Sequence, residues 1–304
     1  MHALDIQKLY KTYANGVEAL KGIDLTVKNG DFFALLGVNG AGKSTAIGLI
    51  TTLLTKTSGR IYINGHDLDR VPEQAKSCLG IVPQEINLSI FETCRQILVS
   101  QAGYYGVSRS IAEPRAEELL EQLGLWQKRD TIVRHLSGGM KRRLMIARAL
   151  MHQPNVLILD EPTAGVDIEI RRTIWDFLIR TNEQGTTIVL TTHYLEEAEL
   201  LCKNIAIIDR GMIVENTSMK KLLRNLHHQT FVFNTVDPIV SLPSLDSMLV
   251  TQIDVNTFEL RINNQIMLND VFTIFNHHNI HIHSMRNKTN RLEELFMDLI
   301  HHDD

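Results

Sequence analysis

Long apolar runs are missing from this sequence. The longest continuous ones, such as Phe32 to Leu36 and Ile205 to Ile208, fall well short of the roughly 18 to 20 residues that cross a bilayer, so no membrane span is expected. Cysteine is scarce. Cys78, Cys94 and Cys202 are the 3 present and show no CxxC spacing, which points away from a disulfide framework or a zinc knuckle and fits a reducing cytosol. Positive charge is not in excess: 31 Lys and Arg stand against 35 Asp and Glu, a formal net charge of −4. A chain that neutralises a polyphosphate backbone along its length needs the opposite balance, so no nucleic acid partner is expected. The opening MHALDIQKLYK places Asp5 where a signal peptide has its apolar stretch, and secretion is not expected. Low-complexity tracts and internal repeats are also missing. What remains is a chain of 304 residues, 44% hydrophobic, long enough for two domains with a proper core.

Strand-like alternation dominates residues 1 to about 70. Leu4 to Leu9, Ile23 to Val27, Phe32 to Leu36 and Arg60 to Ile63 are separated by Asn15-Gly16, Asn29-Gly30 and Asn64-Gly65 turns. From Phe91 to about Gln153 the apolar spacing changes to three and four, as in Ala116, Leu119, Leu120 and Leu123, then Leu144, Ala147 and Leu150, which predicts helices. Short apolar runs return at Val156 to Leu159, Thr187 to Leu190 and Ile205 to Ile208, with helical stretches between them. Strand and helix in alternation predict a buried parallel sheet. A polar stretch at Glu215 to Lys221 precedes a different pattern: strands near Phe231 and within Met248 to Ile262, a helix near Val271, a strand near His281 and a closing helix from Arg291. The expected organisation is an α/β domain over 1–220, with a helical subdomain at about 86–153, and a small α+β accessory domain over 221–304.

The run LLGVNGAGKST, residues 35 to 45, follows the strand Phe32 to Leu36 and opens a helix containing Ile47, Leu49, Ile50 and Leu53. It fits G-x-x-x-x-G-K-[ST] in the context that motif requires. Gly37, Gly40 and Gly42 let backbone N–H groups turn inward on phosphate oxygens, and the helix presents its positive end to them. Asn39 and Ala41, between those glycines, belong to the same nucleotide-binding loop. Lys43 reaches the outer phosphates, Ser44 offers a hydroxyl to magnesium and Thr45 adds a phosphate contact. A second run, VLILDEP over 156 to 162, is an apolar strand ending in paired acids, at the edge where open α/β sheets bind ligands. Taken alone, the acids read as a solvated strand end before Pro162. With a phosphate loop upstream, Asp160 is expected to hold magnesium through water and Glu161 to polarise the attacking water.

LSGGM, residues 136 to 140, heads the helix KRRLMIARALM and resembles the signature of the ATP-binding cassette (ABC) ATPases. The resemblance covers residues 1 to about 215 and implies a P-loop NTPase fold: a RecA-like core with an antiparallel β-subdomain and a helical subdomain. It implies that Ser137, Gly138 and Gly139 bind the γ-phosphate of ATP held by the opposite subunit, so that two copies form a head-to-tail homodimer closed by two ATP molecules with Mg2+. Gln84, in IVPQE, resembles the glutamine that contacts magnesium and the attacking water. His193, in LTTHYLEE, resembles the switch histidine, although a lone histidine at a strand end is more often structural. Asp167, in AGVD, resembles the aspartate that touches the partner cassette. Tyr13, in KLYKTYANG, resembles the aromatic on which adenine stacks, with Tyr10 as its competitor; the place of Tyr10 in the strand alternation points instead to packing. Met140 departs from the commonest signature, which has glutamine there.

The order of GVNGAGKST, IVPQE, FETCRQIL, GYYGV and LSGGMKRR resembles the ATPases of type 2 exporters, including drug-resistance exporters. That implies a separate integral-membrane permease and a cytoplasmic chain held at the inner face of the membrane through it. The rival is a soluble cassette ATPase of DNA repair, translation or iron–sulfur assembly. Negative charge, a single cassette, and no coiled-coil insertion or zinc cysteines stand against it. A non-catalytic nucleotide-binding scaffold would lack catalytic groups, whereas Lys43, Gln84, Asp160, Glu161 and His193 are all present. Of 13 histidines, 8 fall after residue 226, yet their spacing matches no metal-ligand pattern and predicts surface positions. The closing segment TNRLEELFMDLI resembles the amphipathic last helix of exporter cassettes, with Leu292, Leu295, Phe296 and Leu299 as an apolar stripe packing on its own domain.

Overall fold

The computed structural model describes residues 2–224, 228–239, 249–263, 266–288, 292, 293, 295 and 296. The chain forms two compact units, Met1–Ser218 and Met219–Asp304.

In the first unit the strands Glu18–Lys28, His2–Thr12, Ser58–Ile63 and His66–Asp67 lie side by side in that order, all antiparallel. The expected alternation holds here: Leu4, Ile6 and Leu9 are buried, and so are Ile23, Leu25 and Val27 on the paired strand. The glycines of the three expected turns, Gly16, Gly30 and Gly65, all have positive φ. Beside this layer a six-stranded sheet runs Met212–Ser218, Asn204–Asp209, Phe32–Leu36, Thr187–Thr191, Val156–Asp160, Leu79–Val82. Its neighbours are parallel except at the Met212–Ser218 edge. Val156 to Leu159 and Ile205 to Ile208 are fully buried, as continuous apolar runs in a sheet covered on both faces must be.

The polar stretch at Glu215 to Lys221 is not a simple linker. Glu215 to Ser218 belong to the edge strand, paired antiparallel with Ile205 to Ile207 and Asn204. An edge position leaves one side of a strand in water, so Glu215, Asn216 and Thr217 suit a place where the inner strands tolerate only apolar residues. The middle of the unit is helical as expected, with Cys94–Tyr104, Arg109–Gln122 and Gly138–Leu150. The first of these is closed by a capping box in which Thr93 and Gln96 satisfy each other's backbone N–H.

The second unit is α+β. Its antiparallel sheet runs Leu249–Gln252, Thr257–Asn263, His228–Thr235, Ile282–Asn287, so Leu249–Gln252 and Thr257–Asn263 pair as the two arms of a hairpin. Helix Leu268–His277 lays Val271 and Phe275 over Phe231, Phe233, Phe258, Leu260 and Ile262. Phe233 stacks on Phe258 at 5.2 Å between centroids and meets Phe275 edge-on at 5.6 Å, geometries that the aromatic quadrupole favours. Of the expected apolar stripe, Leu292 and Leu295 are helical and buried, while Leu299 lies outside the described residues. No group of His, Cys, Asp and Glu able to hold a metal occurs among the described residues; His227, His301 and His302 lie outside them.

Candidate active site

Four adjacent parallel strands bring their carboxyl ends to one edge of the central sheet. Phe32–Leu36 ends in the phosphate loop, Val156–Asp160 in the acidic pair, Thr187–Thr191 in Thr192 and His193, and Leu79–Val82 in Pro83 and Gln84. Parallel register sets these loops level, with Asp160 opposite Thr191.

The phosphate loop needs its glycines for two separate reasons. Gly42 has φ 117, a region that other residues enter only under strain. At Gly37 a Cβ would stand 2.3 Å from the carbonyl oxygen of Ile208, so only glycine lets the loop pass that close to the neighbouring strand. Helix Lys43–Ile50 then begins with no side-chain cap, leaving its leading N–H groups without a side-chain acceptor. Lys43 Nζ donates to the carbonyls of Gly37 at 2.6 Å and Val38 at 3.1 Å. Burial pushes this ammonium below its ordinary pKa, with Glu161 and Asp160 pulling the other way. Ser44, Asn39 and Gly40 are exposed or part-exposed, and Ala41 is buried.

Glu161 is the point of convergence. Its Oε2 accepts from Gln84 Nε2 at 3.1 Å and lies 3.1 Å from His193 Nδ1. Its backbone N–H donates to Thr191 O at 3.0 Å, and its φ is 48, the left-handed conformation that a non-glycine residue adopts at a cost. Beside it Asp160 accepts from Thr191 Oγ1. Burial pushes the Asp160 carboxyl above its ordinary range and outweighs the Thr191 hydrogen bond; Glu161 adds to the rise, while Lys43 and Arg142 oppose it. An amide and an imidazole thus meet one acid of a pair whose charges both reach the lysine of the loop.

Of the remaining expected residues, Tyr13 touches the end of the phosphate loop, and among the described residues the others make no hydrogen bond with it or with Glu161. Tyr13 is exposed with its hydroxyl 3.3 Å from Thr45 Oγ1, and Lys11 Nζ lies 5.0 Å from its ring centroid. Tyr10 lies across Gly22, where a Cβ would meet its ring at 2.5 Å. Ser137 is the N-cap of helix Gly138–Leu150, its hydroxyl accepting from Met140 N at 3.3 Å. A Cβ at Gly138 would find open space, whereas Gly139 faces Ile170. Asp167 is exposed at the head of helix Ile168–Glu183, with its side chain making no cap. Among the described residues no hydrogen bond joins this signature to the Glu161 cluster.

Two charged residues that sequence reasoning passed over are buried near the site. Arg142 is only 5% exposed and donates to the carbonyls of Pro83 and Gln84. Glu197 is fully buried; its Oε1 accepts from Thr163 Oγ1 at 3.0 Å and Trp175 Nε1 at 2.7 Å, and its Oε2 has no partner. It ties the helix behind His193 to the loop after Glu161. The available signal was Ala198 and Leu201, which bury the same face of helix Leu195–Leu201.

A family model described as ABC transporter matches residues 20–164. Linearmycin resistance ATP-binding protein LnrL of Bacillus subtilis (strain 168) is 36% identical over 306 residues, covering 97% of this chain and 97% of that protein. Daunorubicin/doxorubicin resistance ATP-binding protein DrrA of Streptomyces peucetius is 38% identical over 224 residues, 74% of this chain and 68% of that one. A solved ATP binding subunit of an ABC transporter matches with TM-score 0.68 and 30% identity, over 73% of this chain and 92% of its own. A dimeric ATP-binding cassette in a post-hydrolysis state, bound to ADP and Pi, matches with TM-score 0.66 and 28% identity, over 71% and 98%. The P-loop ATPase core, with its mixed sheet and helical subdomain, has the fold of these cassettes.

Proposed function

The chain belongs to the ATP-binding subunits of ABC transporters, and on that premise we propose that it hydrolyses ATP to drive an exporter whose membrane permease is a separate chain. The observation that carries the hydrolytic half is the meeting of Gln84 and His193 on one oxygen of Glu161, next to Lys43 and Asp160. Glu161 takes a proton from the attacking water. Gln84 fixes the direction of that carboxylate and places its amide beside the water. His193 steadies the γ-phosphate, and Lys43 transfers from its loop carbonyls to the outer phosphate oxygens. The glycine-lined loop, which a Cβ at Gly37 would obstruct, fits a phosphate chain. Ser44 and Asp160, with Gln84 beside them, are oxygen donors of the kind a hard divalent ion such as magnesium takes. Bound there, the ion draws negative charge from the phosphates. Tyr13 offers its exposed ring to adenine.

Dimerisation completes the reading. No hydrogen bond among the described residues joins Ser137, Gly138 or Gly139 to the Glu161 cluster of their own chain, and Gly138 opens on free space; they serve a nucleotide held by a second copy, with Asp167 at the shared surface. Similarity to a dimeric cassette supports this arrangement. Support for a permease comes from Ile86, Ile90 and Phe91, exposed on the segment that follows Gln84, and from the lack of any helix among the described residues long and apolar enough to span a membrane. Similarity to a Nod factor export ATP-binding protein I of Cupriavidus pinatubonensis, 41% identical over 212 residues, supports export. The chain works on the cytoplasmic side, at the inner face of the membrane through that permease.

Glu161→Gln tests the hydrolytic reading. Turnover falls by at least about a hundredfold, the loss typical of a missing general base, while ATP stays bound and the dimer is favoured. Wild-type turnover in this variant removes the base role. Co-purification of a membrane partner from detergent-solubilised membranes tests the transport reading.

A further inference from the structure

The helix behind the signature carries an unusual set of charges. Its first turn has no acid, and Lys141, Arg142 and Arg143 follow at once, the reverse of what a helix dipole favours. A solvated basic face would explain them if they reached water, but the guanidiniums do something else. Arg143 donates to Leu123 O at 2.7 Å, and Arg148 to Asn87 O and Oδ1 at 2.9 and 2.6 Å. Arg142, the most buried of them, sends one nitrogen to Pro83 O at 2.9 Å and the other to Gln84 O at 2.7 Å. A planar fork that grips two consecutive carbonyls fixes the peptide between them in position and in rotation, which a lysine's point charge cannot do. That peptide carries Gln84, whose side chain reaches Glu161 Oε2 at 3.1 Å.

We propose that Arg142 is the positioning residue that locks Gln84 to the signature helix, so that the glutamine's reach to Glu161 and the placement of Ser137 at the head of the same helix are set by one rigid piece. The helix rises about 1.5 Å per residue, so Ser137 and Arg142 are roughly 7 to 8 Å apart along one axis. In a head-to-tail pair, Ser137 serves the partner's nucleotide and Gln84 serves the chain's own. Arg142 therefore links the two sites mechanically: a displacement of the signature when the pair closes is delivered to the Gln84 peptide without slack. Asp160 and Glu161 are the carboxylates whose charge Arg142 feels, so the guanidinium also stands as a fixed cation behind the acidic pair. The inference rests on the assignment of Gln84 and Glu161 to hydrolysis.

The experiment is a double-mutant cycle on the full chain with MgATP, using Gln84→Ala, Arg142→Met and both together, beside Glu161→Gln. Arg142→Met keeps bulk and loses the fork. Its kcat is expected to fall by on the order of tenfold to a hundredfold, as a misplaced catalytic group costs, with the ATP dissociation constant changed by less than about twofold because the phosphate loop is untouched. In the double variant kcat falls no further than in Gln84→Ala alone, and Arg142→Lys restores only part of the rate. Additive losses make Arg142 an ordinary structural residue and overturn the proposal, as does an unchanged kcat in Arg142→Met. If Arg142→Met does not fold, the same cycle run with Arg142→Lys separates additive from non-additive loss in its place. Should Glu161→Gln retain wild-type turnover, the fault lies with the site assignment rather than with Arg142.

Discussion

Removing the carboxyl group of Glu197 separates its structural role from the catalytic ones proposed for its neighbours. In Glu197→Ala the hydroxyl of the buried Thr163 and the indole N–H of the half-buried Trp175 lose their shared acceptor. A donor left unpaired inside a protein costs about 1 to 3 kcal/mol, and the lost Cγ methylene adds about 0.8 kcal/mol. Against this, Oε2 is itself buried without a partner, and its removal returns about 1 to 3 kcal/mol. The balance is a destabilisation of about 3 kcal/mol, which in a unit of this size lowers the unfolding midpoint by roughly 6 to 12 °C. Glu197→Gln keeps an acceptor for both donors and should lose no more than about a third of that. Thermal unfolding followed by tryptophan fluorescence reads the effect directly, since Trp175 is one of only 2 tryptophans. If Glu197→Ala melts within about 2 °C of the parent, or if Gln is as damaging as Ala, the two hydrogen bonds do not carry the energy assigned to them.

Lys43→Ala should weaken ATP binding in an equilibrium titration; an unchanged dissociation constant would refute its phosphate role. The Asp160 carboxyl, raised by burial, binds its proton more tightly in the folded chain than in the unfolded one. Its contribution to stability is therefore complete below the ordinary carboxylate range and is lost as pH rises through the raised native value. Asp160→Asn, which keeps an acceptor for Thr191, should consequently raise the unfolding midpoint of the nucleotide-free chain at pH 7, give no gain in acid below that range, and abolish most turnover. A midpoint that does not rise at pH 7 would contradict the sign.

The phosphate loop, the acidic pair and the main strands were legible in the sequence because their signals are local: alternation, apolar runs and glycines at fixed offsets act within a few residues. Tyr10 belongs to the strand pattern and Tyr13 lies just past it, but that pattern does not translate into burial: Tyr10 is 43% exposed and Tyr13 36%. The edge strand at Glu215 to Ser218 was not legible, because water on its free side removes the apolar signature that marked its partners. Arg142 and Glu197 were hidden for a different cause. Arg142 meets carbonyls 58 and 59 residues away, and Glu197 meets Trp175 and Thr163 across 22 and 34. Nothing beside Arg142 announces that distant backbone will close over it, and Ala198 and Leu201 mark the buried face that holds Glu197 without naming its distant partners.

The left-handed backbone at Glu161 has an evolutionary side. A glycine there would relieve a strain of about 1 to 3 kcal/mol, part of it offset by a freer unfolded chain, and would remove the carboxylate proposed above as the base. Sturdiness and the proposed chemistry therefore pull on this one position in opposite directions.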